Sequence, residues 1–281
     1  MKLGTYLTGG GPRAVALQGD QLVEVGSSMR ELLAGGPEAL ERALAAPVAG
    51  HPLAYEHLGP AVGDPGKVLC IGRNYSEHAD ELGNQTSARP EVFLRTRTSL
   101  AGPRQAIARP RVSQQLDWEV ELAAVIGRPG RYITPKQALD HVAGYCVFND
   151  ISLRDFQNAG RQWTPGKNFD ATGPLGPFLV TAEEVANPFE LAITCKIVEA
   201  DGSERVVQTS NTSLMIHRLP EIIAFLSLFT TLEAGDVIAT GTPGGVGLGR
   251  KPPEFLRPGQ LLVSAIEGLG ELRNPIVEEA D

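Results

Sequence analysis

The sequence predicts a β-rich α+β fold, and three observations carry that expectation. Glycine and proline are both abundant, 32 and 21 of 281 residues, and they punctuate short strand-like runs rather than long helical ones. The stretch "LDWEVELAAVIG", Leu116 to Gly127, opens with acids strictly alternating with apolar residues, the period of a strand. Beyond the first 60 residues, a full helical pattern is confined to one stretch, from Leu219 or Pro220 to about Phe229. Proline stands in its first turn and apolar residues fill much of its surface.

In chain order, strands are expected near Lys2 to Leu7, Arg13 to Gln18 and Gln21 to Val25, then helical patterns near Ser28 to Leu33 and Pro37 to Leu44. A Gly/Pro-containing connector, "LGPAVGDPGK", follows from Leu58 to Lys67, and a boundary near residue 62 divides a small N-terminal domain, 1–62, from a larger one, 63–281. "VLCIG", Val68 to Gly72, reads as a buried strand leading into "RNYSEHADELG", where helical spacing begins and Gly83 is a plausible stop. Further strands are expected around Val92 to Arg95, Leu116 to Ile126, Val142 to Asn149, Pro177 to Val180, Leu191 to Glu199, Asp236 to Thr240 and Leu261 to Ile266. No internal repeat or low-complexity tract interrupts them.

Composition narrows the function classes. With 42% hydrophobic and 21% charged residues the chain has an ordinary globular content. Its 25 basic and 33 acidic residues give a net charge of −8, and no Lys/Arg run could track phosphates, so nucleic acid is not an expected partner. Cys70, Cys146 and Cys195 form no CxxC pair and sit among apolar residues, as buried thiols of a reducing compartment do. The N-terminal stretch has no signal-peptide core, and the longest helical apolar run, Ile222 to Phe229, is far too short to span a bilayer. The expectation is a cytoplasmic protein without a membrane partner.

Several residues could carry chemistry. Asp117, Glu119 and Glu121 share one strand parity; that face is either solvated, at little cost, or half buried and in need of a cation. Asp150 directly follows the apolar run Val142 to Phe148, which places a carboxylate at the mouth of a core. With Glu119 and Glu121 it would offer three oxygen ligands, the hard set suited to Mg²⁺ or Mn²⁺. Unrelated exposed acids are the alternative. Lys167 stands in "RQWTPGKNFDATGPLGP" among glycine, aromatic and proline residues beside Asp170, where a held lysine can supply fixed positive charge, although a surface lysine would look the same. His78 and Glu81, three residues apart, would share a helix face, as a general base and its orienting carboxylate do, and also as many solvated pairs do. "ATGTPGGVG", Ala239 to Gly247, lacks the GK[ST] ending and a βαβ setting, which excludes a nucleotide loop. Its glycines would let backbone amides and Thr242 approach a small anionic ligand.

Taken in order, "GRNYSEHADELG", "FLRTRTSLAGP", "DWEVELAAVIG", "GYCVFNDISLRD", "QWTPGKNFDATGPLGP", "SNTSLMI", "TLEAGDVIATGTPGGVG" and "KPPEFLRPGQLLVSAIEGLGELRNP" resemble the fumarylacetoacetate hydrolase family, from about Lys67 onward. The resemblance implies that family's mixed β-sandwich or roll in the domain 63–281, and a homodimer. It implies Glu119, Glu121 and Asp150 as ligands of Mg²⁺ (or Mn²⁺), with Asp117 a neighbour rather than a ligand. Lys167 matches the active-site lysine, Thr242 a threonine that contacts the substrate carboxylate, and His78 and Glu81 a water-activating pair. Arg73, Tyr75 and Asp170 are further expected substrate contacts. Two departures stand out: Arg95 and Arg97 occupy positions where the family often has Lys and Pro, with an altered charge lining the pocket as the expectation, and Leu214 replaces a frequent Asp.

The activity so implied is hydrolysis of the carbon-carbon bond of a 2,4-dioxo acid of the acylpyruvate type, with Lys167 stabilising the pyruvate enolate. Oxaloacetate decarboxylation and isomerisation of 2-hydroxyhepta-2,4-diene-1,7-dioate share that intermediate and are the alternatives. A non-catalytic metal or small-acid binding protein is the third. Specificity is expected to lie in Ser76 to Pro90 and Arg154 to Thr164.

Overall fold

Strands form where apolar runs are bounded by glycine, proline and short polar turns, and the runs that are apolar throughout end up in the middle of the larger sheet. The structure is a computed structural model, described over residues 1–77 and 87–280. Its strands in chain order are β1 (Lys2–Thr8), β2 (Gly11–Gln18), β3 (Gln21–Gly26), β4 (Gly50–Pro52), β5 (Val68–Gly72), β6 (Glu91–Arg95), β7 (Leu100–Ala101), β8 (Ile107–Arg109) and β9 (Leu116–Asp117). There follow β10 (Val120–Ile126), β11 (Val142–Asn149), β12 (Ser152–Leu153), β13 (Gly173–Thr181), β14 (Ala192–Val198), β15 (Glu204–Asn211), β16 (Val237–Ala239), β17 (Leu261–Ile266) and β18 (Gly270–Glu278). The fold is thus sheet-dominated α+β, as the punctuation of the sequence predicts.

One sheet of 11 strands runs in the order β4-β3-β2-β1-β13-β11-β10-β16-β5-β6, with β7 alongside β13, and a second of five strands runs β15-β14-β17-β18-β8. Strands β10, β11 and β13 are buried along nearly their whole length, which is why they read as continuous apolar runs. Alternation along β10 splits its side chains between two cores. Leu122, Ala124 and Ile126 pack with Ile193, Cys195, Ile197 and Leu262 of the second sheet. Ala123 and Val125 face the other way, toward Leu3, Ala14 and Met29. The helix Leu219–Phe229 buries Leu219, Ile222, Ile223 and Leu226 in the first of these cores, each apolar side chain contributing about 1.5–3 kcal/mol.

The expected helical patterns near Ser28 and Pro37 are the helices Met29–Ala34 and Gly36–Ala45, the first capped by the Ser28 hydroxyl accepting from Glu31 N. Packing is continuous across the expected boundary at residue 62: β1 pairs with β13, Leu3 opposite Leu179, and Leu3 and Met29 share a core with Phe148 and Leu175. The sequence reading missed β15 and β18. The expected single strand Leu116 to Ile126 is two, interrupted at Trp118 and Glu119, and all four residues from Leu116 to Glu119 are buried. Among the described residues no helix is long and apolar enough to cross a membrane.

The topology gathers the ends of four neighbouring strands, β11, β10, β16 and β5, in the interior of the large sheet. Val120 at the start of β10 pairs with Asn149 at the end of antiparallel β11, so Glu119, Glu121 and Asp150 meet. Ala239 at the end of β16 lies opposite Ala123 of β10 and beside Cys70 of parallel β5, so the glycine-rich loop and Arg73 arrive at the same place.

Candidate active site

Glu119, Glu121 and Asp150 are all buried, and each places a carboxylate oxygen within 4.8 Å of the others. Three hard oxygen donors at that spacing fit a divalent cation of the Mg²⁺ or Mn²⁺ kind. The buried charges around them alternate in sign. Arg154 donates to Asp117 Oδ2 through Nε at 2.7 Å and lies 2.6 Å from Glu119 Oε1 through Nη1. Lys167 Nζ bridges Glu119 Oε2 at 2.7 Å and Asp150 Oδ2 at 2.5 Å, and Arg95 Nη1 donates to Asp150 Oδ1 at 2.5 Å.

Four buried acids therefore face three buried cations, and Glu121 is the acid that, among the described residues, no ion pair reaches. Its one backbone donor is Gly241 N at 2.9 Å. Burial first, then the charges of Asp150 and Glu119, push its carboxyl well above the usual carboxylate range. Such a group is stabilised by a second cation, which is the observation on which the fit to a divalent metal rests. Burial would strip the proton from Lys167, but the charges of Asp150 and Glu119 outweigh it and hold its pKa above the ordinary lysine value. The lysine is a fixed positive charge at the site floor.

The acid face of the sequence reading is buried rather than solvated, and Asp117 lies outside the cluster that Glu119, Glu121 and Asp150 form. Its oxygens accept from Trp118 N at 2.8 Å, Gly247 N at 2.7 Å and Leu248 N at 2.9 Å besides Arg154. It thereby anchors the end of the glycine-rich loop to the arginine that holds Glu119.

A cleft of about 150 Å³ opens over the acids. Arg73, Phe93 and Trp163 form one wall, and Arg154, Gln157, Thr242 and Leu248 contribute to its lining. Arg73 has φ of +53°, a strained backbone for a residue with a side chain. Glu91 holds its guanidinium with bonds of 2.7 and 2.6 Å, and it stacks 5.3 Å from the Trp163 ring. Trp163 lies so close to Gly72 that a Cβ there would meet its ring at 2.3 Å.

Of the expected residues, Glu119, Glu121, Asp150, Lys167, Arg73 and Thr242 converge on this cleft. Tyr75 and Asp170 do not line it. Tyr75 is wholly buried with a hydroxyl that has no hydrogen-bond partner among the described residues, and burial, followed by the charges of Glu121 and Glu77, raises its pKa. Asp170 points into solvent past the end of the Lys167 turn. His78 and Glu81 lie outside the described residues. Arg95 does not line the pocket as expected; it sits behind Asp150, bonded also to Ser99 and Thr172, while Arg97 is exposed. Leu214 is 47% exposed and off the cleft lining.

Sequence reasoning marked the segment Arg154 to Thr164 for specificity but gave no role to Arg154 or Gln157 individually; the two share one side of the short helix Arg154–Asn158 and bond to each other at 2.8 Å. Their spacing of three residues, close behind Asp150, was the available signal. Arg154 is 1% exposed, and among the described residues its Nη2 has no partner.

The profile of the fumarylacetoacetate (FAA) hydrolase C-terminal family matches residues 67–277. The mitochondrial oxaloacetate tautomerase of Xenopus laevis is 42% identical over 254 residues, covering 89% of this chain and 78% of its own. A solved fumarylacetoacetate hydrolase from Exiguobacterium antarcticum superimposes with a TM-score of 0.86 at 33% identity, over 99% of this chain and 100% of the other. A solved 2-hydroxyhepta-2,4-diene-1,7-dioate isomerase from Mycobacterium marinum does so with a TM-score of 0.76 at 30% identity, over 100% of both.

Proposed function

This chain belongs to the fumarylacetoacetate hydrolase family, and we propose that within it the protein is a divalent-metal-dependent tautomerase or isomerase of a small 2-oxo dicarboxylic acid, with oxaloacetate as the first candidate substrate. The observation that carries the reading is Lys167, held 2.7 Å from Glu119 and 2.5 Å from Asp150 beneath the cleft. A protonated amine fixed beside the acid set is placed to stabilise the oxygen of a 2-oxo acid as it gains charge on enolisation. A cation bound by Glu119, Glu121 and Asp150 would supply Lewis-acid polarisation of that carbonyl.

The remaining steps fall to the chain's own groups. Arg154, with Nη2 unpartnered at the cleft wall, takes a substrate carboxylate, and Gln157 orients the guanidinium. Arg73, fixed by Glu91 and Trp163, offers positive charge for the far carboxylate of a diacid. The proton moved between C3 and solvent is assigned to His78, on the family resemblance of the His78 and Glu81 pair in the sequence; in this reaction the imidazole does not need to make hydroxide. Names of relatives favour enolisation over carbon-carbon hydrolysis: the Xenopus laevis protein is named a tautomerase and the Mycobacterium marinum one an isomerase. A homodimer is part of the same proposal and is read by analytical ultracentrifugation.

The test follows the ultraviolet decay of freshly dissolved enol-oxaloacetate with Mn²⁺ or Mg²⁺ and after EDTA, with products resolved by mass. Metal-dependent ketonisation at unchanged mass supports the reading. Pyruvate and CO₂ as the enzymatic products would instead make the protein a decarboxylase. Acetylpyruvate split into acetate and pyruvate, with no effect on the enol, would restore the hydrolase expectation.

A further inference from the structure

We propose that Gln208, which reaches in from the second sheet, is a positioning residue that fixes the backbone between the two ligand glutamates and the direction of the Thr242 hydroxyl. The inference rests on the reading of Glu119, Glu121 and Asp150 as ligands of a divalent cation. Where β9 gives way to β10, residues Trp118 and Glu119 belong to no strand; Glu119 O still accepts from Asp150 N at 2.8 Å, but their N–H groups find their partners outside the ladder. Three successive backbone N–H groups are bound by side chains instead: Trp118 by Asp117 Oδ1 at 2.8 Å, Glu119 by Asn149 Oδ1 at 2.9 Å and Val120 by Gln208 Oε1 at 3.1 Å. Of these three acceptors, Gln208 is the one that belongs to the second sheet.

Its amide closes a ring. Val120 N–H donates to Gln208 Oε1 at 3.1 Å, Gln208 Nε2 donates to Thr242 Oγ1 at 2.8 Å, and Thr242 Oγ1 donates back to Val120 O at 3.0 Å. Gln208 Nε2 also donates to Pro243 O at 2.9 Å. Gln208 and Thr242 are each 2% exposed, so water does not compete for these bonds. The orientation of the amide is forced: Val120 N–H can only donate and Pro243 O can only accept, so a flipped amide would lose both bonds.

Two consequences follow. Val120 is clamped at its N–H and its C=O, one bond on each of the two peptides that flank it, and the carboxylates on either side keep the spacing that a ligand set needs, within about 0.5 Å. Thr242 spends its proton on Val120 O, so its hydroxyl offers the cleft a lone pair and not a donor. A substrate carboxylate is therefore no partner for that hydroxyl; an enol O–H or a water is.

The test measures Mn²⁺ binding to EDTA-stripped protein without substrate, by electron paramagnetic resonance of the free ion. Gln208→Met keeps the volume and removes the amide's bonds; its Mn²⁺ affinity is expected to fall by about 10- to 100-fold. Thr242→Val cuts the same ring at another corner, so the double variant binds about as well as the weaker single one rather than showing the product of two losses. Thr212→Val, a buried polar residue bonded to Pro188 O and Leu191 N away from the site, controls for general destabilisation and leaves affinity unchanged. Should Gln208→Met not fold, Thr242→Val decides alone. Affinity within twofold of the parent in a folded ring variant overturns the positioning role while leaving the ligand set intact. If Glu121→Gln binds Mn²⁺ as tightly as the parent, the ligand reading itself fails and takes this inference with it.

Discussion

Arg95 Nη1 lies 2.5 Å from Asp150 Oδ1, and neither side chain reaches solvent. The guanidinium also bonds Ser99 Oγ, Thr172 Oγ1 and Ile151 O, so one planar group serves four partners that a single ammonium cannot. Arg95→Met leaves a buried carboxylate short of its partner and is expected to cost about 3–5 kcal/mol. Arg95→Lys keeps the charge, loses part of the fork and costs about 1–3 kcal/mol. Urea denaturation in EDTA measures both.

Lys167→Met removes the positive charge beneath the cleft without touching Arg154 or Arg73. With saturating Mn²⁺, kcat on oxaloacetate should fall by about 10²–10³ while KM changes little, because the lost interaction belongs to the transition state. A fall in KM-dependent binding alone would move Lys167 from catalysis to substrate capture.

Metal removal should lower thermal stability, since a cation that binds only the folded acid set stabilises by mass action. At a hundredfold excess over its Kd the gain is about 2.7 kcal/mol. A melting shift on adding Mn²⁺ to stripped protein is expected for the parent and is expected to vanish in Glu121→Gln.

Gly245 has φ of +99°, and a Cβ there would sit 2.4 Å from Val207 O and 3.3 Å from Gln208 Cγ. Gly245→Ala is therefore strained twice, in its backbone and against the strand that carries Gln208. A loss of about 1–3 kcal/mol is expected by chemical denaturation.

The three thiols should be silent in the folded protein. Burial pushes Cys195 up to about 12 and raises Cys70 and Cys146 as well. A raised thiol pKa means the neutral form persists at pH 8, and only the thiolate attacks a disulfide reagent. A chromogenic disulfide should titrate no cysteine at pH 8 natively, and all three in urea.

The acid cluster was legible in the sequence because its geometry is local: two glutamates on one strand parity, and an aspartate directly after a buried run. The partners that make the site were not. Arg95, Arg154 and Lys167 reach the acids across separations of up to 55 residues, and no local period records such pairings. The break at Trp118 and Glu119 carries no glycine or proline to announce it, because side chains replace the ladder there. Gln208 was invisible for a related reason. "ERVVQTSN" is dominated by polar residues and resembles a solvated loop, yet Val207 and Gln208 turn inward and the segment pairs with β14 along its length. The resemblance supplied Lys167 and Thr242 as residues of the site, but not what holds them.

Because Leu3 of β1 pairs with Leu179 of β13, β1 can pair with nearby β2 early but cannot find its neighbour on the other side until the roughly 175 residues between Leu3 and Leu179 have been made. At ordinary synthesis rates that interval is roughly 10 to 35 s. A β1–β2–β3 meander formed within that interval would leave the β13-facing edge of β1 unpaired, the geometry that recruits foreign strands. Production in the cell should therefore be limited by the lifetime of that nascent edge, and slower growth temperatures or chaperone supply should change yield more than any stabilisation of the finished site.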